Sequence, residues 1–262
     1  MLPIISGRTA AFVLLLAVCV MILVGIYLSR KKLVSFKIRK LPALDAMKEA
    51  VGRAVEMGRP VHFTASYMPL SGAEAAMNLS ALTLLTFLAR LCARYKATLL
   101  VSVGTEQTLP LQIENVRQAY QAEGHPEDFK LENIRYLSGE QMAFSAGVIQ
   151  TLVGERVAAN IMVGAFAGEA ALLAETGSRA GAIQIAGTPR AVQMPYMAVV
   201  CDFCLYGEEL YAAGAYLSDD AEMKGSLAGQ DWGKILGLGI TIVGAILLTF
   251  LGDRTIPQLL SR

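Results

Sequence analysis

Two histidines, one tryptophan and four cysteines in 262 residues leave little material for several kinds of chemistry. A His-based triad or a His-rich metal centre would have to be built from His62 and His125 alone. His125 falls in a polar stretch beside Pro126. His62 falls within an apolar segment, where it reads as a hydrogen-bonded structural residue rather than a base. No Gly-x-Gly-x-x-Gly follows a candidate strand, and neither Gly-x-x-x-x-Gly-Lys-Ser/Thr nor a Gly-x-Ser-x-Gly elbow occurs, so the usual marks of nucleotide binding and of hydrolase chemistry are missing. Cys19 lies in a long apolar run and Cys92 in a helical pattern, which leaves Cys201 and Cys204 as the one close pair. Their spacing is thioredoxin-like, but the pair comes late, on an extended segment, with no second pair or nearby histidine; it reads as two small apolar residues in a reducing compartment. No metal or other cofactor is expected.

Charge is absent from two long apolar stretches, residues 10–28 and 235–251. The first, 19 residues, just crosses a hydrocarbon core about 30 Å thick at 1.5 Å per residue. It exceeds a signal-peptide core, and Arg30, Lys31 and Lys32 stand where a cleavage site would be, so it is expected to remain as an anchor. The second, 17 residues, is near the lower limit, with Trp232 at its start suiting the interfacial belt. The longest uncharged run between them, residues 75–89, includes Asn78, Ser80, Thr83 and Thr86 and reads as a buried helix; two spans are expected.

Basic residues are concentrated in one segment. Arg30, Lys31, Lys32, Lys37, Arg39 and Lys40 crowd the inner flank of the first apolar stretch, whereas only Arg8 precedes it. The positive-inside rule then puts the middle of the chain in the cytoplasm and both termini outside, and these six residues are candidates to lie on anionic headgroups. Residues 41–232 carry 13 Lys plus Arg against 21 Asp plus Glu, a net −8, which argues against nucleic acid as a partner. The bilayer is the expected partner, along with a second copy of the chain or another membrane protein.

Hydrophobic pattern and breakers alternate through the middle. Helices are expected over residues 44–57, 75–95, 111–122, 140–154, 167–176, 191–201 and 208–217. Strands are expected over 61–65, 98–103, 133–137, 159–164, 182–186 and 202–206, with a polar loop at 123–132. Strands alternating with helices of this length imply right-handed crossovers and a doubly wound, mainly parallel α/β sandwich, Rossmann-like in class. The organisation is then an external segment (1–9), a span (10–28), a basic segment (29–40), an α/β domain (41–218), a linker (219–234), a span (235–251) and an external tail (252–262).

Six phrases in this order carry a resemblance: residues 39–46 (RKLPALDA), 56–64 (EMGRPVHFT), 174–177 (AETG), 184–188 (QIAGT), 207–213 (GEELYAA) and 229–234 (GQDWGK). From Arg39 to Leu251 the chain resembles a family of bacterial and archaeal membrane proteins carrying a domain of unknown function. The resemblance implies a membrane protein, but no activity, cofactor or site residue.

Open α/β sheets bind ligands at the carboxyl ends of their strands. The loops expected there contain Ser66, Gly104 and Thr105, Gly164 and Gly168, and Gly187 and Thr188. Glycine lets backbone N–H groups approach an anion at a helix start, so Gly104, Thr105, Gly164, Gly168, Gly187 and Thr188 are candidate ligand-binding residues; the same residues also make ordinary turns and caps. Glu169 and Glu175 are too far apart to act as a pair, Glu208 and Glu209 suit a helix N-terminus, and no catalytic residue is assigned. Gly233, Gly237, Thr241, Ala245 and Thr249 recur every four residues, a small-residue stripe suited to close packing on the other apolar helix or on a neighbouring subunit. The leading expectation is a non-catalytic membrane-anchored module that self-associates or recruits a partner; the alternative is a small-molecule or anion-binding domain using the glycine loops.

Overall fold

The computed structural model describes residues 9–34, 39–72, 74–218 and 220–251. These divide into two compact units: the helices near the two ends, and Lys40–Leu217. The first helix, α1 (Thr9–Arg30), is apolar almost throughout and ends at the basic flank.

The second unit begins with α2 (Pro42–Met57), which has a proline in its first turn and is stopped by Gly58 at φ 62°, whose N–H bonds back to Ala54 and Val55. Then come β1 (Val61–Thr64), α3 (Glu74–Tyr95), β2 (Leu99–Val103), α4 (Leu109–Ala122), β3 (Ile134–Tyr136), α5 (Gln141–Gly154), β4 (Ala159–Val163) and α6 (Glu169–Arg179). The unit closes with β5 (Ile183–Thr188), α7 (Met194–Val200), β6 (Phe203–Tyr206) and α8 (Glu209–Ser218). All six strands are parallel, in the order β3-β2-β1-β4-β5-β6. The α/β alternation read from the sequence is therefore present, and the order reverses between β1 and β4.

β1, β2 and β4 are buried at every residue; β2 and β4 read as nearly continuous apolar runs, whereas β1 alternates as Val61-His62-Phe63-Thr64 with its two polar side chains buried as well. One face of the sheet carries α2, α3, α4 and α8 in a single core with Phe63, Val101 and Ile161. The other carries α5, α6 and α7 around Leu100, Met162 and Ala186.

A polar row crosses that second face. His62 Nδ1 lies 2.8 Å from Asn160 Oδ1, and Asn160 Nδ2 donates to Gln184 Oε1 at 2.8 Å. The donating Asn160 amide fixes its oxygen as acceptor, so Nδ1 carries the imidazole proton. Nε2 is left to accept from the Ser102 hydroxyl at 2.8 Å. Gln184 then donates to Ala182 O at 3.1 Å. A side chain on Gly177 of α6 would overlap the Gln184 amide, so that glycine makes room for the row. The four side chains are at most 2% exposed. His62 is thus a structural residue in a satisfied network, as its place in an apolar strand suggested.

In the other unit the last helix, α9 (Ala221–Ile246), is capped by Asp220, whose carboxylate accepts from Glu222 N at 2.8 Å, and runs on as a π turn over Leu247–Leu251. Residues 221–234, expected as linker, are helical. Lys224, Asp231 and Lys234 interrupt the apolar run, but at 100° per residue they fall on one side of the helix, opposite Gly225 and Gly229. α1 and α9 pack antiparallel: Gly25 meets Gly225 and Gly229, Ile22 meets Gly229, and Val18 meets Gly233. The contact needs glycine, since a Cβ on Gly25, Gly225 or Gly229 would overlap the facing backbone.

The seam continues through Leu236, Ile240 and Gly244, a repeat of three and four residues. A strict repeat of four gains about 40° per step and winds off this line. Gly233 lies in the seam, whereas Gly237, Thr241 and Ala245 lie exposed outside it, and Gly237 has nothing within 4 Å of a notional Cβ. Arg30, expected at headgroups, pairs with Glu222 at 3.1 Å. Lys31, Lys32, Arg39 and Lys40 are exposed; Lys37 and the terminal segments lie outside the described residues.

Three helices among the described residues, rather than two, are long and apolar enough to cross a membrane: Ala11–Arg30, Glu74–Tyr95 and Ala221–Phe250. The additional one is α3. Half of its apolar window is buried, against 6% for the other two, and it is the crossover joining neighbouring strands β1 and β2. The sandwich core therefore accounts for its apolar residues.

Candidate functional site

Parallel strands all end on one side, and the strand order reverses between β1 and β4, the position at which open α/β sheets bind ligands. Ser66, just past β1, is held at φ 85° while 3% exposed, a conformation that costs a non-glycine residue about 1–3 kcal/mol. Its hydroxyl donates to Ala165 O at 2.6 Å, tying the loop after β1 to the loop after β4.

Two of the glycines expected to cradle an anion, Gly104 and Gly164, are where these loops pack against one another. Gly164 sits at φ 139°, and a Cβ there would overlap Ala65 O; its N–H donates to Gly187 O at 2.9 Å and so is not free for a ligand. A Cβ on Gly104 would strike the Tyr67 backbone, and Thr105 Oγ1 points at Tyr67 O and Met68 O at 2.8 and 2.9 Å. Gly187 makes ordinary strand contacts, Thr188 Oγ1 accepts from Arg190 N at 3.3 Å, and Gly168 opens α6 with helical φ and open space around it. The loops of Gly104, Gly164 and Gly187 do converge, but by packing on one another or on the segment after β1.

Other side chains meet at this edge. Arg190, after β5, pairs with Glu74 of α3 at 2.7 Å and donates to Phe166 O at 3.3 Å, joining the loops after β1, β4 and β5. Glu169, 4% exposed, accepts from Ala167 N at 3.0 Å and from Gln141 Nε2 at 2.7 Å. Glu140 caps α5 by accepting from Ala143 N at 2.7 Å, which with a second backbone N–H, that of Met142, holds its pKa below the usual carboxylate value. Tyr67 stands among them, its hydroxyl pushed up by burial and by the fields of Glu169 and Glu140, with Arg190 opposing. Glu74, Glu140 and Glu169 against Arg190 leave this edge with an excess of negative charge.

The described residues contain three buried side-chain atoms without a hydrogen-bond partner, and all are amide oxygens on this edge: Asn78 Oδ1, Gln112 Oε1 and Gln193 Oε1. Asn78 lies in the second turn of α3, Gln112 in the first turn of α4, and Gln193 caps α7, each helix starting where a strand has just ended. Asn78 is 2% exposed; its amide N donates to Met68 O at 2.8 Å, and its oxygen faces Gly164, 3.2 Å from a notional Cβ there. Sequence reading missed these amides, Tyr67, Glu74, Glu140 and Arg190. Only Arg190, the first charge after a strand and its Thr-Pro turn, carried a usable signal.

Elsewhere the chemistry is thin. Arg59, Arg156 and Arg179 line a groove at the amino edge, but the Arg59 guanidinium is committed to the carbonyls of Arg156, Val157 and Ala180. His125, Glu127 and Asp128 bring their ligand atoms within 4.8 Å of one another on the polar loop, an exposed acidic triplet of a common kind. Glu209 accepts from Tyr206 N at 3.0 Å, the helix-capping role its position suggested.

The sequence profile of a domain of unknown function, DUF6754, matches residues 4–259, and the chain belongs to that family. No curated protein and no solved structure matches the chain.

Proposed function

We propose that this chain is a membrane-tethered receptor domain that recognises a small, donor-rich ligand, an amine or a polyol, at the acidic carboxyl edge of its sheet. α1 and α9 serve as the two anchors, with the basic flank after α1 keeping the α/β unit in the cytoplasm. The observation that carries the reading is that Asn78, Gln112 and Gln193 all lie near helix starts at that edge. An unsatisfied buried acceptor costs about 1–3 kcal/mol, and three on one side of a sheet are explained if donors from a ligand or its water meet them. Glu74, Glu140 and Glu169 add attraction for a cation, and the Arg190–Glu74 bridge is placed to open or rearrange when one enters.

The test is thermal unfolding of the full chain in mild detergent against polyamines, amino acids and sugars, with inorganic phosphate as the contrasting probe. A compound at a hundred times its Kd should raise stability by about 2.7 kcal/mol, a Tm shift of roughly 5–10 °C, and Asn78→Leu should remove the shift. Phosphate alone stabilising, or a shift that survives in Asn78→Leu, would sink the reading.

Self-association is a second reading, favoured by one observation: after α1 has taken its seam, Gly237, Thr241 and Ala245 still leave a small-residue face on α9 exposed. Native mass spectrometry should then show a dimer or larger assembly that Gly237→Leu disperses; a monomer throughout removes this reading.

A further inference from the structure

We propose that Cys201 and Cys204 form a reactive dithiol at the free edge of the sheet, which exchanges with small disulfides and closes into an intrachain disulfide. Cys201 ends α7, its N–H bonded to Met197 O at 2.8 Å, and Cys204 lies on β6, the outermost strand, opposite Ala186. Residues three apart on an extended strand lie about 10 Å from each other. Here the chain bends at Asp202, and the bend is pinned from both sides by Gln184: Asp202 N donates to Gln184 O at 2.9 Å, and Gln184 N donates to Asp202 Oδ2 at 2.8 Å. The two thiols consequently lie within hydrogen-bonding reach of each other, with the Tyr206 hydroxyl as a further partner of Cys204. Both cysteines are partly exposed, in contrast to Cys92, which is buried and whose thiol burial pushes up.

The surroundings divide the roles. The Cys201 thiol and then the Tyr206 hydroxyl bring the Cys204 thiol down to about 7 against the opposing field of Asp202, while Cys201 is pushed up by the same hydrogen bond. Cys204 is the attacking group, because a thiol titrating near ambient pH reacts fastest in exchange. Its thiolate attacks one sulfur of a disulfide RSSR, the S–S bond breaks, a Cys204–SR bond forms and RS⁻ leaves to take up a proton. Cys201 then loses its proton and attacks Cys204 Sγ, expelling the second RS⁻. In sum two cysteine thiols are oxidised to one disulfide and RSSR is reduced to two RSH.

Oxidised glutathione is the probe, applied to the reduced full chain in detergent at pH 7, with intact mass and peptide mapping as readouts. The wild-type chain should lose two hydrogens and hold no glutathione, with residues 201 and 204 joined. Cys201→Ser should stop at one glutathionyl group on Cys204. Cys204→Ser should slow reaction at this pair about tenfold, reflecting the thiolate fraction lost. Unfolding curves matching the wild type show that the serine variants are folded; should one fail to fold, differential alkylation of the wild-type chain at pH 7 replaces it, with Cys204 labelled about tenfold faster than Cys201. Retention of both thiols by the wild-type chain, undiminished reactivity in Cys204→Ser, or equal labelling of the two cysteines overturns the proposal.

Discussion

Replacing Asn160 by leucine is expected to cost the α/β unit about 4 kcal/mol, a large part of the 5–15 kcal/mol that holds a typical domain folded. The side chains are close in volume, so little of this comes from a cavity. Asn160 is the hinge of the row Ser102–His62–Asn160–Gln184, donating to Gln184 and accepting from His62. Its loss strands the imidazole N–H on one side and the Gln184 oxygen on the other, both far from water, at about 1–3 kcal/mol each. The control is removal of the whole row by Ser102→Ala, His62→Leu, Asn160→Leu and Gln184→Leu together. With every side-chain partner in the row removed and only the Ala182 carbonyl losing a donor, this chain should recover more than half of the loss. Urea unfolding of the full chain followed by circular dichroism measures both. A single Asn160→Leu variant within 1 kcal/mol of the wild type would show that the row is not held as described.

That row also marks how far the sequence could be read. β2 and β4 are apolar runs bounded by breakers, and Gly58 and Pro60 mark the start of β1, so strands and crossover helices could be placed within a few residues and the parallel sandwich deduced. His62 could be read as structural because it falls within such a strand. Its partners could not, since Ser102, Asn160 and Gln184 become neighbours only once the strand order is known. The carboxyl-edge cluster was hidden for the same reason: Arg190 and Glu74 are 116 residues apart and meet only where the loops after β1 and β5 converge. At Gly104 and Gly164 the missing side chains admit another loop, a close approach that local spacing does not reveal. In α9 the eye follows the uncharged run, while the helix begins where Asp220 caps it and selects its seam by a mixed three-and-four repeat.

Acid should act through the same row. His62 is fully buried and neutral, and loss of solvation lowers its pKa from 6.5 to about 4, the hydrogen bond to Asn160 only partly opposing. Above pH 6.5 the imidazole is neutral in both folded and unfolded chains and contributes no pH dependence. Between 6.5 and about 4 the unfolded chain binds a proton that the folded chain refuses, so stability falls as pH falls, and below about 4 both forms bind it and the effect levels off. At 1.36 kcal/mol per pKa unit the loss amounts to about 3 kcal/mol. The depressed carboxylates Glu114, Glu127 and Glu140 add to it only below their unfolded value of 4.5, and all are exposed. The interval from pH 6.5 to 4.5 thus isolates the buried imidazole. Unfolding free energies measured at pH 7, 5.5 and 4.5 should fall steadily in the wild type and stay level in His62→Gln, which keeps an amide for Asn160 and has nothing to titrate. A wild-type chain that is flat over this interval would mean that His62 is charged or hydrated in the folded state, and the tautomer assigned from the Asn160 amide would then be wrong.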